Sequence, residues 1–150
     1  MKFTLPPVYP ITDKEIANRL SHFSILKELV RGGAQLVQIR DKSTPLPELL
    51  KDLIRCTEFA ESKGITLIIN DRCDLALSCH ATGVHLGQED LPIADARRLA
   101  PDLIVGSSTH SIGEAAAAQT YGASYINIGP IYPTTTKAWT GRFLGVDAVR

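Results

Sequence analysis

Five short stretches carry residues that could do chemistry. Gln38 is followed by Arg40, Asp41 and Lys42; Asn70, Asp71 and Arg72 stand together, as do Gln88, Glu89 and Asp90. Ser107, Ser108, Thr109 and His110 form a fourth group, and Gly129 leads to Pro133, Thr134, Thr135, Thr136 and Lys137. Arg40, Lys42 and Lys137 are cations: an arginine can fork onto two phosphate oxygens, and a lysine acts as a point charge. Ser108, Thr134 and Thr136 add hydroxyl donors. Asp71 and Asp90 are hard carboxylate ligands, which repel a phosphate unless a cation lies between. Mg²⁺ resolves that repulsion, because it uses one or two carboxylates together with phosphate oxygens and water. The set reads as a metal–polyphosphate site.

Each stretch also has a plainer reading. Arg40–Asp41–Lys42 is a solvated turn, Asn70-Asp71 a cap for a helix near Arg72, Gln88–Asp90 a cap for a helix after Pro92, and the threonines an irregular loop. His110 reads as a capping or surface residue, His22 and His80 as surface, and His85 as lining the core. No two histidines have the i, i+4 spacing of a zinc helix. No Ser–His–Asp or Cys–His arrangement is evident. What favours function is that the plain reading would have to hold at every stretch together.

These stretches need elements to bring them together. Short β-branched runs at Val8–Ile11, Leu36–Ile39, Leu67–Ile69, Gly83–Leu86, Leu103–Val105 and Tyr125–Ile128 alternate with helical spacing. Ile25, Leu26, Leu29 and Val30 make one apolar stripe; Leu46, Leu49, Leu50, Leu53 and Ile54 make another, and Ala115–Ala118 favours a helix. Glycines at 32–33, 64 and 122 punctuate helix ends. Pro45, Pro47 and Pro92 mark helix starts, and Ser111 with Glu114 makes a capping-box pattern. The pattern predicts (βα)₅β with a sixth helix beginning, in one domain over residues 1–150, with a parallel sheet. The chemistry follows the strands, so it should converge at their carboxyl ends. No GxGxxG follows the first strand, which disfavours a dinucleotide-binding sheet. Periodicity alone leaves an open doubly wound sheet and a closed barrel both standing.

Composition sets bounds. Of 150 residues, 44% are hydrophobic and 21% charged, and 16 Lys and Arg balance 16 Asp and Glu. A net charge of zero argues against nucleic-acid binding. No apolar run reaches the roughly 18 residues of a membrane helix, and three prolines break the N-terminus where a signal peptide would need an apolar stretch. Cys56, Cys73 and Cys79 read as reduced, buried thiols of a cytoplasmic protein.

The motifs resemble one family in order. Gln38-Ile39-Arg40-Asp41-Lys42, Ile69–Arg72, Gly83–Pro92, Ser108–Ser111 and Gly129–Lys137 are similar to the successive signatures of thiamine-phosphate synthases. The resemblance implies a TIM (βα)₈ barrel, of which about six units are present. It implies a Mg²⁺-dependent transferase that couples 4-amino-2-methyl-5-hydroxymethylpyrimidine pyrophosphate to a thiazole phosphate, releasing pyrophosphate. Asp71 and Asp90 would hold Mg²⁺. Arg40, Lys42, Asn70, Ser108 and Lys137 would grip the pyrophosphate, with Arg40, Lys42, Ser108 and Lys137 catalytic. Gln38 would seat the aminopyrimidine, and Thr134 and Thr136 would meet the thiazole phosphate. A related thiazole tautomerase using His110, and a non-catalytic phosphate-binding paralogue, are the competing readings. The family's seventh and eighth units have no counterpart before Arg150, which suggests a fragment. A six-unit sheet would expose two apolar edges, which leaves a homo-oligomer open.

Overall fold

A computed structural model of the chain describes residues 3–133, 141 and 143–149. In chain order the elements are β1 (Ile11–Thr12), α1 (His22–Arg31), β2 (Leu36–Ile39), α2 (Leu46–Ser62), β3 (Thr66–Asn70), α3 (Cys73–Ser78), β4 (Gly83–Leu86), α4 (Ile93–Leu99), β5 (Ile104–Thr109), α5 (Ile112–Thr120) and β6 (Tyr125–Ile128), followed by a 3₁₀ turn at Val146–Val149. The six strands form one sheet in sequential order, every neighbouring pair parallel.

Three strands differ from expectation: the third gains a residue at each end, so Asn70 is a strand residue and does not follow the strand. The first covers only Ile11–Thr12, not Val8–Ile11. Pro10 has no N–H to give a ladder, although its carbonyl accepts from Gln38 N at 2.9 Å, and Val8 is 69% exposed. The fifth does not stop at Val105. It runs to Thr109, so Ser107, Ser108 and Thr109 are strand residues that pair with Ile126, Asn127 and Ile128.

Alternation along the strands makes two faces. Val37, Ile39, Leu67, Ile69, Val84, Leu86 and Val105 pack against Leu26 of α1 and Leu49, Leu53, Cys56 and Ala60 of α2. The α2 residues fall at the 4-3-4 spacing of one helical stripe. Burying a leucine such as Leu53, 1% exposed, contributes about 1.5–3 kcal/mol. The other face is concave and more polar, and carries Gln38, Asn70, His85 and Ser108.

The sheet is strongly curled. Flat strands sit ~4.8 Å apart, so β1 and β6 would be separated by roughly 24 Å. Instead the hydroxyls of Tyr9, just before β1, and Tyr125, on β6, lie 2.5 Å apart across the concave side. At the opposite end of the sheet from the polar stretches, Arg97 of α4 donates to the carbonyls of Gly122 (2.7 Å) and Leu103 (2.5 Å) and to Ser124 Oγ (2.6 Å). One guanidinium thereby ties α4 to the starts of β5 and β6.

Candidate functional site

The turn after β2 is organised by Asp41. Its Oδ1 accepts from the backbone N–H of Ser43 (2.9 Å) and Thr44 (2.8 Å), and its Oδ2 accepts from Thr44 Oγ1 (2.6 Å) and His22 Nε2 (2.9 Å). Burial pushes the Asp41 carboxyl up, but these hydrogen bonds outweigh it and hold the group well below the usual carboxylate range. The solvated-turn reading therefore holds for Lys42, which is exposed, and fails for Asp41, whose side chain is 2% exposed. The surface reading of His22 also fails. It is fully buried at the start of α1, with Nδ1 2.8 Å from Thr12 Oγ1. A histidine whose partners lie 10 and 19 residues away shows no local signal of burial. With Asp41 fixed, Arg40 and Lys42 flank it. Arg40 N donates to Thr12 Oγ1, and its guanidinium lies 3.7 Å from Asp13.

The two expected metal ligands stand on neighbouring strand ends. Asp71 follows β3 with φ +63°, a left-handed conformation that Asp tolerates better than most residues. Its backbone N–H donates to His85 O at 2.7 Å, and its carboxylate pairs with Lys42 Nζ. Asp90 folds back so that Oδ2 accepts from Gly87 N at 2.6 Å. A Cβ on residue 87 would stand 3.0 Å from that oxygen, which is why glycine suits the position. Burial raises the pKa of Asp90 above the ordinary value; the Gly87 hydrogen bond opposes this, the Asp71 carboxylate adds to it, and Lys42 opposes it. Neither aspartate caps a helix: Arg72 and Pro92 stand at the N-caps of α3 and α4, without a side-chain cap bond. Among the described residues no group of three or more His, Cys, Asp or Glu forms a metal cage. A carboxylate pair of this kind suits a hard cation that completes its shell with phosphate oxygens and water.

Ser108 lies on the concave face, its Oγ 2.9 Å from His85 Nε2 and its carbonyl accepting from Gln88 Nε2 at 2.6 Å. The other ring nitrogen of His85 lies 3.1 Å from Tyr125 OH, in the position that a carboxylate takes in a Ser–His–Asp triad. His85 lines the interior, as expected. His110 places Nδ1 2.5 Å from Gly129 O and its backbone N–H on Glu114 Oε2 at 2.7 Å. Ser111 caps α5 by accepting from Glu114 N, so half of the expected capping box forms while the Glu114 side chain reaches one residue further back.

These groups line one cavity of about 500 Å³. Gln38, Arg40, Lys42, Asn70, Asp71, Asp90 and Ser108 all border it, together with His85, His110 and Asn127. Thr134, Thr136 and Lys137, and most of the loop around them, lie outside the described residues. Sequence reasoning did not single out Asn127, Asp13, Tyr9 or Tyr125. Asn127 alone carried a signal, since it is a polar residue inside a strand. The three cysteines are free and buried, as expected, and among the described residues no helix is long and apolar enough to cross a membrane.

Fold and site define an α/β protein of consecutive parallel βα units with cations and paired carboxylates gathered at the carboxyl end of the sheet. The family follows from comparison. The family model described as thiamine monophosphate synthase matches residues 8–150, and the chain belongs to that family. It is 42% identical over 144 residues to a thiamine-phosphate synthase of Methanospirillum hungatei, covering 95% of this chain and 70% of that one. It is 37% identical over 143 residues to that of Chloroflexus aurantiacus, covering 95% of this chain and 66% of the other. Among solved structures, the thiamine phosphate pyrophosphorylase of Pyrococcus furiosus superposes with a TM-score of 0.83 at 33% identity, over 94% of this chain and 66% of that one. The chain thus spans about two thirds of the length of these relatives.

Proposed function

We propose that this chain carries the metal- and pyrophosphate-binding part of a Mg²⁺-dependent thiamine-phosphate synthase. The reaction would condense 4-amino-2-methyl-5-hydroxymethylpyrimidine pyrophosphate with 4-methyl-5-(2-phosphoethyl)thiazole to give thiamine phosphate and pyrophosphate. The observation that carries this reading is the convergence of Arg40, Lys42, Asn70, Asp71, Asp90 and Ser108 on one cavity from four strand ends.

In this reading Asp71 and Asp90 hold Mg²⁺, which when bound offsets charge on the leaving pyrophosphate. Arg40, Lys42, Asn70, Ser108 and Lys137 grip the pyrophosphate. Charge on that group grows as the C–O bond breaks, so fixed cations and donors stabilise the transition state more than the ground state. The aminopyrimidine cation that remains is seated by Gln38 and captured by the thiazole nitrogen, while Thr134 and Thr136 meet the thiazole phosphate. No protein nucleophile is needed, in keeping with a Ser108 paired to a His85 whose other ring nitrogen lies against Tyr125 OH. The curl of the six-stranded sheet supports a further element of the proposal, that the complete protein is a closed (βα)₈ barrel. Three buried free thiols are consistent with a cytoplasmic setting.

The test is an assay of the native protein with both substrates. Pyrophosphate release that requires both of them and Mg²⁺, and that Asp71→Asn or Asp90→Asn abolishes, is the expected result. Isomerisation of the thiazole without metal would replace this reading by a tautomerase. Mg²⁺-dependent pyrophosphate binding without turnover would replace it by a non-catalytic paralogue.

A further inference from the structure

A partly buried line of hydrogen bonds crosses the concave face beside the cavity. Gln38 Nε2 donates to Tyr9 OH at 2.7 Å, the Tyr9 and Tyr125 hydroxyls lie 2.5 Å apart, Tyr125 OH lies 3.1 Å from His85 Nδ1, and His85 Nε2 lies 2.9 Å from Ser108 Oγ. Gln38, His85 and Tyr125 are each no more than 8% exposed. Gln38 and Ser108 border the cavity; Tyr9 and Tyr125 do not.

A hydroxyl has one proton, so a line of this kind has a direction. The Gln38 amide nitrogen can only donate to Tyr9. With Tyr9 accepting there, the sense that spends both tyrosine protons within the line has Tyr9 donating to Tyr125 and Tyr125 donating to His85 Nδ1. In that sense Nδ1 is an acceptor, and the neutral imidazole carries its proton on Nε2 and donates it to Ser108 Oγ. Ser108 is left to direct its O–H away from His85. At the other end, the Gln38 amide is pinned by its nitrogen, and its carbonyl oxygen is the end that remains for a ligand.

We propose that Tyr9, Tyr125 and His85 are positioning residues that set the donor–acceptor sense of both ends of the cavity. Ser108 becomes a donor aimed at an anion. Gln38 becomes an acceptor suited to an amino group on a heterocycle and unsuited to a carbonyl in the same place. The inference rests on the function proposed above and deepens it. Local packing is fitted to it independently: a Cβ at Gly106 would lie 2.1 Å from Tyr125 Cζ and 2.6 Å from His85 Nδ1, so a glycine between them is what lets the phenol reach the imidazole.

The test reads the ring directly. In ¹⁵N-labelled native protein, long-range ¹H–¹⁵N spectra of His85 should show the neutral form with the proton on Nε2. In Tyr125→Phe the bias should vanish and the two tautomers mix. Binding of inorganic pyrophosphate with Mg²⁺, measured by calorimetry, should weaken on the order of tenfold, as for a buried polar group left without its partner. Ser108→Ala should weaken it similarly, and the double variant should be no weaker than Ser108→Ala alone. Tyr9→Phe, one bond further from Ser108, serves as a second variant if Tyr125→Phe does not fold, and should shift the same tautomer balance. A proton on Nδ1 in the native protein, an unchanged tautomer in both tyrosine variants, or fully additive losses would overturn the proposal. The tautomer is readable whether or not the protein turns over its two substrates, so failure of the relay and failure of the functional reading are separate results.

Discussion

Replacing Asp41 separates the support of the site from the site itself. Four hydrogen bonds end on this carboxylate, two from backbone N–H groups, one from Thr44 Oγ1 and one from His22 Nε2. Hydrogen bonds to a charged group are worth ~1.5–3 kcal/mol each. A simple sum would rival the entire stability of a domain, about 5–15 kcal/mol, because it leaves out the cost of taking the charge from water. The better guide is the loss on breaking a buried pair, about 3–5 kcal/mol. Asp41→Ala should therefore destabilise the protein by about 3–5 kcal/mol, lowering Tm by roughly 6–20 °C in a chain of this size. Asp41→Asn keeps an acceptor for the Ser43 and Thr44 amides but turns a donor toward His22 and Thr44, and should cost about 1.5–3 kcal/mol. The pH dependence has a definite sign. The folded carboxyl titrates below its unfolded value of about 3.9, so its contribution is complete above that pH and is lost as pH falls toward the folded value. Urea titrations at pH 7 and pH 3 check both points: the gap between wild type and Asp41→Ala should be widest at pH 7 and measurably smaller at pH 3, where the loss has begun. An Asp41→Ala variant as stable as wild type, or a gap that does not change with pH, would refute the reasoning.

Further outcomes are expected. The raised Asp90 carboxyl binds a proton in the metal-free fold at a pH where the unfolded chain does not, so stability should rise as pH falls through that window, and Asp90→Asn should flatten the rise in chemical denaturation. Because Mg²⁺ would need the carboxylate, Mg²⁺-dependent pyrophosphate binding should weaken over the same fall in pH when followed by calorimetry. Gly106→Ala should cost about 1–3 kcal/mol or more in urea unfolding, since its Cβ would press on the Tyr125 ring. Burial pushes the thiols of Cys56, Cys73 and Cys79 up, so a thiol reagent at pH 8 should leave them unmodified in the native protein and react with all three after denaturation.

The alternation of strands and helices was legible because each strand buries an apolar face against the helices, and each helix repeats its contacts at helical spacing. Leu36–Ile39, Gly83–Leu86 and Tyr125–Ile128 were placed to the residue for that reason. Strand boundaries failed where polarity misled. Ser107–Thr109 resembles a loop in sequence, yet it continues β5 because the concave side of this sheet accepts polar groups. The bordering residues of the cavity were legible because a parallel sheet sends every strand end to one side. What holds those residues was not legible. Asp41 and His22 meet across 19 residues, and Tyr9 and Tyr125 across 116, and neither pairing follows from any local period. The second depends on the curl of the sheet, which no single strand encodes.

The division of labour between the two faces also bears on how the site would work. Apolar packing against α1 and α2 holds the sheet, so the strand ends are free to carry arrangements that do not favour folding. Asp71 sits in a left-handed conformation, and its charge helps to raise the pKa of Asp90. Lys42, on the turn that Asp41 secures, offsets this by pairing with Asp71. On the proposed assignment, Asp71 and Asp90 would hold Mg²⁺, and Lys42 would be released from Asp71 to pair with a phosphate oxygen. Each ion would then offset charge that the other brings, and neither alone would be accommodated as well as the pair. Metal and anion should therefore bind cooperatively, and Lys42→Ala should weaken pyrophosphate binding while making Mg²⁺ alone bind more tightly. Loss of the cooperativity between the two ligands in Lys42→Ala would not arise if Lys42 were only a surface cation.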